Sequence, residues 1–282
     1  MGDTAIHIAG LRKSYDGVAA VDGVDLRVCL GEVFALLGPN GAGKTTTVEI
    51  LEGYRHRDQG TVQVLGEDPQ RAGRSWRARI GIVLQLGAAE WPEITVREAV
   101  EHFALFYPDP RDPAEVLDLV GLSGKARSRI RKLSGGMARR LDVALGIVGN
   151  PELLFLDEPT TGFDPEARRS FWSMIQDLSG GGTTILLTTH YLEEAEALAD
   201  RVAVIAGGRI RATGTPGTIG GRDTAMVTVA WQEDGRRKNT RTDKPTAAIA
   251  GLAERFGGEV PGLTVTRPTL EDTYLELIGE TT

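Results

Sequence analysis

The chain has 282 residues, 41% hydrophobic and 25% charged, an ordinary balance for a globular protein that buries a core. Its formal net charge of −7 argues against bulk attraction to nucleic acid or anionic lipid. The single cysteine, Cys29, excludes an internal disulfide framework and argues against a cysteine-based metal site.

The N-terminal MGDTAIHIAG lacks the positive start and apolar run of a signal peptide, and no apolar stretch approaches the length of a membrane span. TAIHIAG, VDLRVCL and TVQVLG alternate or carry β-branched residues between Gly and Asp, and read as strands, with Cys29 as strand packing. EVFALLG is continuously apolar, the mark of a strand buried on both faces, and a helix is expected from Gly43 to Gly53. IGIVLQ is another apolar strand, ending at Gln85. From Trp91 to Val148 no strand stands out. TVREAVEHFALFY and PAEVLDLVGL have helical spacing, each entered by Thr or Pro, so residues 91–148 read as a helical lobe.

ELLFLDEP and TTILLTTH return as buried strands, with a helix from Pro165 to Leu178 between them, and RVAVIAGGRIRATG reads as a hairpin around Gly207 and Gly208. Buried strands alternating with helices predict a mostly parallel α/β sheet. Composition shifts after TPGTIGGRD. The tail offers a strand-like AMVTVAW, a charged QEDGRRKNTRTDK, a helical PTAAIAGLAERFG and a last helix TLEDTYLELIG, where Thr269 and Asp272 resemble a capping box. The expected division is a nucleotide-binding domain over 1–215 and a C-terminal α+β extension over 216–282.

GPNGAGKT, Gly38 to Thr45, satisfies G-x-x-x-x-G-K-[ST] after a buried strand and before a helix. Its backbone suits phosphate oxygens, Lys44 would reach the β- and γ-phosphates, and the Thr45 hydroxyl would ligate Mg²⁺. Asp157 and Glu158 end a hydrophobic strand; the first suits Mg²⁺, the second a general base that polarises water. Because side chains alternate along a strand, the two carboxylates are expected to point apart and do different work. Gln85 at a strand end suits Mg²⁺ or the attacking water, and His190 the γ-phosphate. A second phosphate-type turn, LSGGM at Leu133 to Met137, opens another helix.

In that order these motifs resemble the nucleotide-binding subunit of an ABC (ATP-binding cassette) transporter. The resemblance implies an α/β P-loop NTPase core with an antiparallel β subdomain, a helical signature lobe and a small α+β tail. It implies ATP and Mg²⁺ as ligands and ATP hydrolysis as the activity. Tyr15 matches the family's adenine-stacking aromatic. Gly38, Pro39, Asn40, Gly41, Ala42, Gly43, Lys44, Thr45 and Thr46 match its Walker A loop. Gln85 matches the Q-loop, Asp157 with Glu158 the Walker B pair, Asp164 the D-loop and His190 the switch histidine. Ser134, Gly135 and Gly136 match the signature, which in this family holds the ATP of a second, head-to-tail cassette.

Met137 stands where Gln is usual and Phe163 where the D-loop usually has Leu. The Met form and the tail RPTLEDTYLELIG are similar to bacterial drug- and antibiotic-exporter ATPases of the daunorubicin-resistance type. That implies a separately encoded membrane permease, a cytoplasmic place on the inner face of the membrane, and no nucleic-acid partner. A non-transport ABC ATPase and an importer cassette are the alternatives. Trp91, Glu93, Phe103, Phe106 and Tyr107 are candidate permease contacts or lobe core, and Arg236, Arg237, Lys238 and Arg241 a basic run at a solvated loop, the permease or lipid headgroups. All nucleotide motifs lie upstream of Thr215, so the tail is expected to be dispensable for ATP binding but not for assembly or coupling.

Overall fold

A computed structural model describes residues 4–83 and 91–279. β1 (Thr4–Tyr15) and β2 (Val18–Cys29) form an antiparallel hairpin. Then follow β3 (Val33–Leu37), α1 (Lys44–Leu51), β4 (Gln59–Val64), the single-turn α2 (Arg74–Arg77) and β5 (Ile80–Val83). The lobe carries α3 (Val96–Ala104), α4 (Pro113–Leu119) and α5 (Gly135–Ile147). β6 (Leu153–Asp157), α6 (Pro165–Gly180), β7 (Thr184–Thr189), α7 (Leu192–Leu198), β8 (Arg201–Ala206) and β9 (Arg209–Gly214) complete the body. The tail adds β10 (Val227–Glu233), β11 (Arg236–Thr242), α8 (Pro245–Phe256), β12 (Thr264–Thr266) and α9 (Leu270–Ile278).

The central sheet has the order β5-β6-β7-β3-β8-β9, parallel except for β9. The apolar runs are explained by its two covered faces. Val33, Ala35 and Leu37 of β3 face one core with Leu154, Leu156, Ile185, Leu187, Val202 and Val204, under α5 and α6. Phe34 and Leu36 face the other, with Phe155, Leu186 and Ile205. That second core is closed by α1 and by the antiparallel sheet β2-β1-β4, through Ile6, Ile8, Leu11 and Val62. Each fully buried Leu, Ile or Phe contributes about 1.5–3 kcal/mol.

The lobe is helical as expected; its β pairing among the described residues is one isolated bridge, Thr95 to Arg129. A capping box of Thr95 and Glu98 starts α3, and Asp112 caps α4 ahead of Pro113. Helix α5 is long and well buried, and it packs between the lobe and the central sheet.

The tail contains a strand that its charge conceals. Residues of QEDGRRKNTRTDK form β11, joined to β10 by a two-residue turn at Asp234 and Gly235. The sheet β11-β10-β12 has its own small core of Val229, Trp231, Leu252 and Val260 beneath α8. Helix α9 does not join that core. It returns to the body, where Leu270 and Ile219 belong to the main core and Tyr274, Leu277 and Ile278 pack against it. Its Thr269–Asp272 capping box is formed. The neck between body and tail sheet is tight. Arg222 donates to the carbonyls of Pro268 and Pro216 (both 2.8 Å) and pairs with Glu196 at 2.7 Å. At Gly220 a Cβ would lie 2.6 Å from Thr273 Cγ2 on α9, so only glycine permits this approach.

Candidate functional site

The site lies at the carboxyl ends of β6, β7 and β3, adjacent strands in the parallel sheet and the usual place for ligands in such sheets. After β3 the loop 38–43 wraps into α1. Gly43, the N-cap, has φ +104°, and a Cβ there would meet the Ala20 carbonyl at 2.5 Å. No side chain caps α1, so the amides of its first turn remain for an anion. Lys44 is 5% exposed, and its Nζ donates to the carbonyls of Gly38 (2.7 Å) and Pro39 (3.2 Å). Burial lowers its pKa, while the Glu158 and Asp157 carboxylates pull it back up. Thr45 is exposed at the helix start.

β6 pairs with β7 through Asp157 and Thr188. The Thr188 hydroxyl donates to Asp157 Oδ1. The Glu158 amide donates to the Thr188 carbonyl (3.0 Å) and hydroxyl (3.2 Å). Glu158 lies just past the strand, at φ +43°. Glu158 therefore lies outside the strand alternation expected from the sequence: the Asp157 carboxylate accepts from Thr188, and the Glu158 carboxylate meets His190. His190, after β7, places Nδ1 3.3 Å from Glu158 Oε1. Thr188 is the residue that sequence reasoning missed here. Its signal was its place two residues before His190.

Ser134 caps α5, its hydroxyl accepting from the Met137 amide at 3.3 Å. Ser134, Gly135 and Gly136 line a cavity of about 530 Å³ together with Arg139, Glu158 and Asp164. Asp164 caps α6 by accepting from Ala167 N at 2.8 Å. No residue of the loop 38–46 lines that cavity. Tyr15, at the end of β1, is 37% exposed, with Lys13 and Arg55 at 5.4 and 5.3 Å from its ring centroid. Gln85 lies outside the described residues. The strand before it, β5, pairs with β6.

The candidate docking residues divide. Phe103 and Tyr107 pack on the main core, whereas Phe106 is exposed. Trp91 packs on Phe103 at 5.1 Å, and Glu93 is paired with Arg129 at 2.7 Å. In the tail, Arg236, Arg237 and Arg241 are exposed on β11, and Lys238 pairs with Glu233 at 3.1 Å.

The family model described as ABC transporter matches residues 21–161, from β2 past the Walker B strand. The chain is 38% identical to the daunorubicin resistance ATP-binding protein DrrA3 of Streptomyces coeruleorubidus, over 99% of this chain and 98% of that protein. It belongs to the ABC transporter ATP-binding family. Another relative is the Nod factor export ATP-binding protein I of Paraburkholderia xenovorans, 43% identical over 78% of this chain and 73% of that one. Among solved structures, cbiO1 of Clostridium perfringens, part of the transporter complex cbiONQ, aligns at TM-score 0.70 and 27% identity, over 76% of this chain and 90% of that one. The protein is therefore an ATP-binding, ATP-hydrolysing subunit of the ABC class with the P-loop NTPase fold.

This ABC chain offers a metal few ligands of its own. Among the described residues no three His, Cys, Asp or Glu side chains cluster to hold an ion. Beside the phosphate-binding loop stand the Asp157 and Glu158 carboxylates, and the Thr45 hydroxyl lies in the first turn of α1. That donor set fits Mg²⁺, which keeps waters and takes one or two carboxylates plus substrate phosphates.

Proposed function

We propose that this ATPase drives export through a separate membrane permease, acting as a head-to-tail pair of cassettes on the cytoplasmic face of the membrane. Relatives named for daunorubicin resistance and Nod factor export support the exporter reading. Among the described residues no helix is long and apolar enough to cross a membrane. Residues 1–215 serve as the nucleotide-binding domain and 216–282 as an extension anchored to it by α9.

The observation that carries the mechanism is the 3.3 Å contact of His190 with Glu158 beside a phosphate-binding loop. Tyr15 stacks on adenine. The loop 38–46 wraps the phosphates, and Lys44 exchanges its loop carbonyls for β- and γ-phosphate oxygens. Thr45, Asp157 and Gln85 would hold Mg²⁺, which would supply charge neutralisation to the transferring phosphoryl group. Glu158 takes a proton from the water whose oxygen attacks the γ-phosphorus; the bond to the bridging oxygen breaks, and ADP leaves with the electron pair. His190 holds the γ-phosphate in line. Ser134 and Gly136, at the N-terminus of α5, meet the γ-phosphate held by a second copy, with Asp164 beside them. The cavity of Ser134 and Gly136 is lined by Glu158 but by no residue of the loop 38–46, which is compatible with that sharing.

Glu158→Gln tests this. The variant is expected to bind ATP, hydrolyse it about 100-fold more slowly or worse, and form ATP-dependent dimers by size exclusion. Turnover equal to the parent would remove Glu158 as the base.

A further inference from the structure

Glu158 holds a backbone conformation that side-chain-bearing residues avoid, φ +43°, so something must keep its turn in place. One support is Thr188 on β7, which receives the Glu158 amide. The other comes from a different element. Arg139 of α5 donates from Nη2 to the Asp157 carbonyl at 3.0 Å and from Nε to the Pro159 carbonyl at 3.1 Å. These are the carbonyls of the residues immediately before and after Glu158. Arg139 is 8% exposed, and Asp142, one turn further along the helix, lies 3.7 Å from Nη1. Burying a guanidinium is costly, and the cost is offset where its planar fork meets fixed acceptors. Asp142 supplies the counter-charge; the two carbonyls supply the geometry.

We propose that Arg139 is a positioning residue for hydrolysis: it bridges the carbonyls flanking Glu158 and fixes the turn that aims the Glu158 carboxylate. This rests on Glu158 being the base. A carboxylate displaced by about 1 Å loses much of its catalytic effect even when nucleotide binding is untouched. The clamp also sits on the helix whose first turn is the signature, because Arg139 follows the Ser134 cap by little more than one turn. The same rigid segment thus carries the signature and steadies the chain's own base. Lysine at 139 would keep the charge beside Asp142 but, as a single ammonium, would not reproduce the planar bridge.

The test is a double-substitution cycle in the full chain with Arg139→Gln, Glu158→Gln and both together, plus Arg139→Lys. Steady-state and single-turnover hydrolysis, binding of a fluorescent ATP analogue and thermal melting are measured. Arg139→Gln is expected to lower kcat about tenfold or more, with KM and analogue affinity within about threefold of the parent. Arg139→Lys is expected to be intermediate. In the Glu158→Gln background, Arg139→Gln should change the residual rate by less than about twofold, because its effect passes through Glu158. A folded Arg139→Gln chain turning over within about twofold of the parent overturns the proposal, as does a loss that multiplies undiminished onto Glu158→Gln. If neither Arg139 variant folds, Arg139 serves the core and the proposal fails. A Glu158→Gln chain as active as the parent is a separate result: it removes the base on which the proposal rests.

Discussion

Single side chains near the phosphate loop carry distinct duties. Lys44→Ala removes the buried amine that the proposed mechanism directs to the phosphates. Losing one fixed donor to a transferring phosphoryl group costs about 10²–10³-fold in rate. A purified, folded Lys44→Ala chain is therefore expected to show no measurable phosphate release above background. Glu52, at the end of α1, has a different consequence. Burial, the Asp157 carboxylate and the Glu49 carboxylate push its pKa from 4.5 to about 8. Between those values the folded chain holds a proton that the unfolded chain has released, so stability falls as pH rises through that window. Glu52→Gln is expected to melt higher than the parent at about pH 8, with a smaller gain at about pH 5. A gain independent of pH would contradict this. The sequence made Lys44, Asp157, Glu158 and His190 legible because each occupies a motif position next to a buried strand. Thr188 and Arg139 were not legible: both act on the Walker B turn through contacts between distant segments, and no spacing encodes those.

At the scale of elements, the body was readable and the tail only partly so. Strands β3, β6, β7 and β8 announce themselves as apolar runs because helices or a second sheet cover both faces. Strand β11 hides among Arg, Lys and Thr because its side chains face solvent at a sheet edge, and its real signal was the Asp-Gly turn before it. The destination of α9 was also invisible, since an amphipathic helix does not say which surface covers it. Its packing changes what truncation should do. A chain ending at Thr215 loses Ile219 and Leu270 from the main core as well as the tail sheet. Leu270→Ala in the full chain is expected to cost about 2–5 kcal/mol, read by denaturant unfolding, while Val265→Ala on the exposed strand β12 stays within about 0.5 kcal/mol. Equal effects would mean that α9 is not anchored in the body.

For the whole molecule, the question is whether nucleotide sites are shared between copies. Gly136 is well suited to answer it. A Cβ there would have the Ala167 Cβ as its neighbour, at 3.9 Å, and the position faces the cavity of about 530 Å³, which leaves room for a side chain. Gly136→Glu should then fold normally and harm only the nucleotide of a second copy, by bringing a carboxylate to its γ-phosphate. In the Glu158→Gln background, Lys44→Ala and Gly136→Glu chains are each expected to dimerise poorly with ATP. Mixed, they should form a heterodimer, because one composite site then joins an intact loop to an intact signature. Light scattering of differently tagged chains reads the result. No gain on mixing, while the Glu158→Gln parent dimerises alongside, would count against sharing.

The Arg222 neck gives the chain a further property. Residues 223–267 leave the body and return to it at one point, with Ile219 buried on one side and Leu270 on the other. In polymer terms the tail sheet is a closed loop whose ends are tied by the body. The entropy of closing such a loop grows only with the logarithm of its length, so doubling the insert would weaken the hold on α9 by only about 0.6 kcal/mol. The insert is therefore free to lengthen, shorten or be exchanged for another small module, provided the knot is kept. A backbone nick at the Asp234–Gly235 turn would leave α9 held by side-chain packing, with the severed piece still bound to the body.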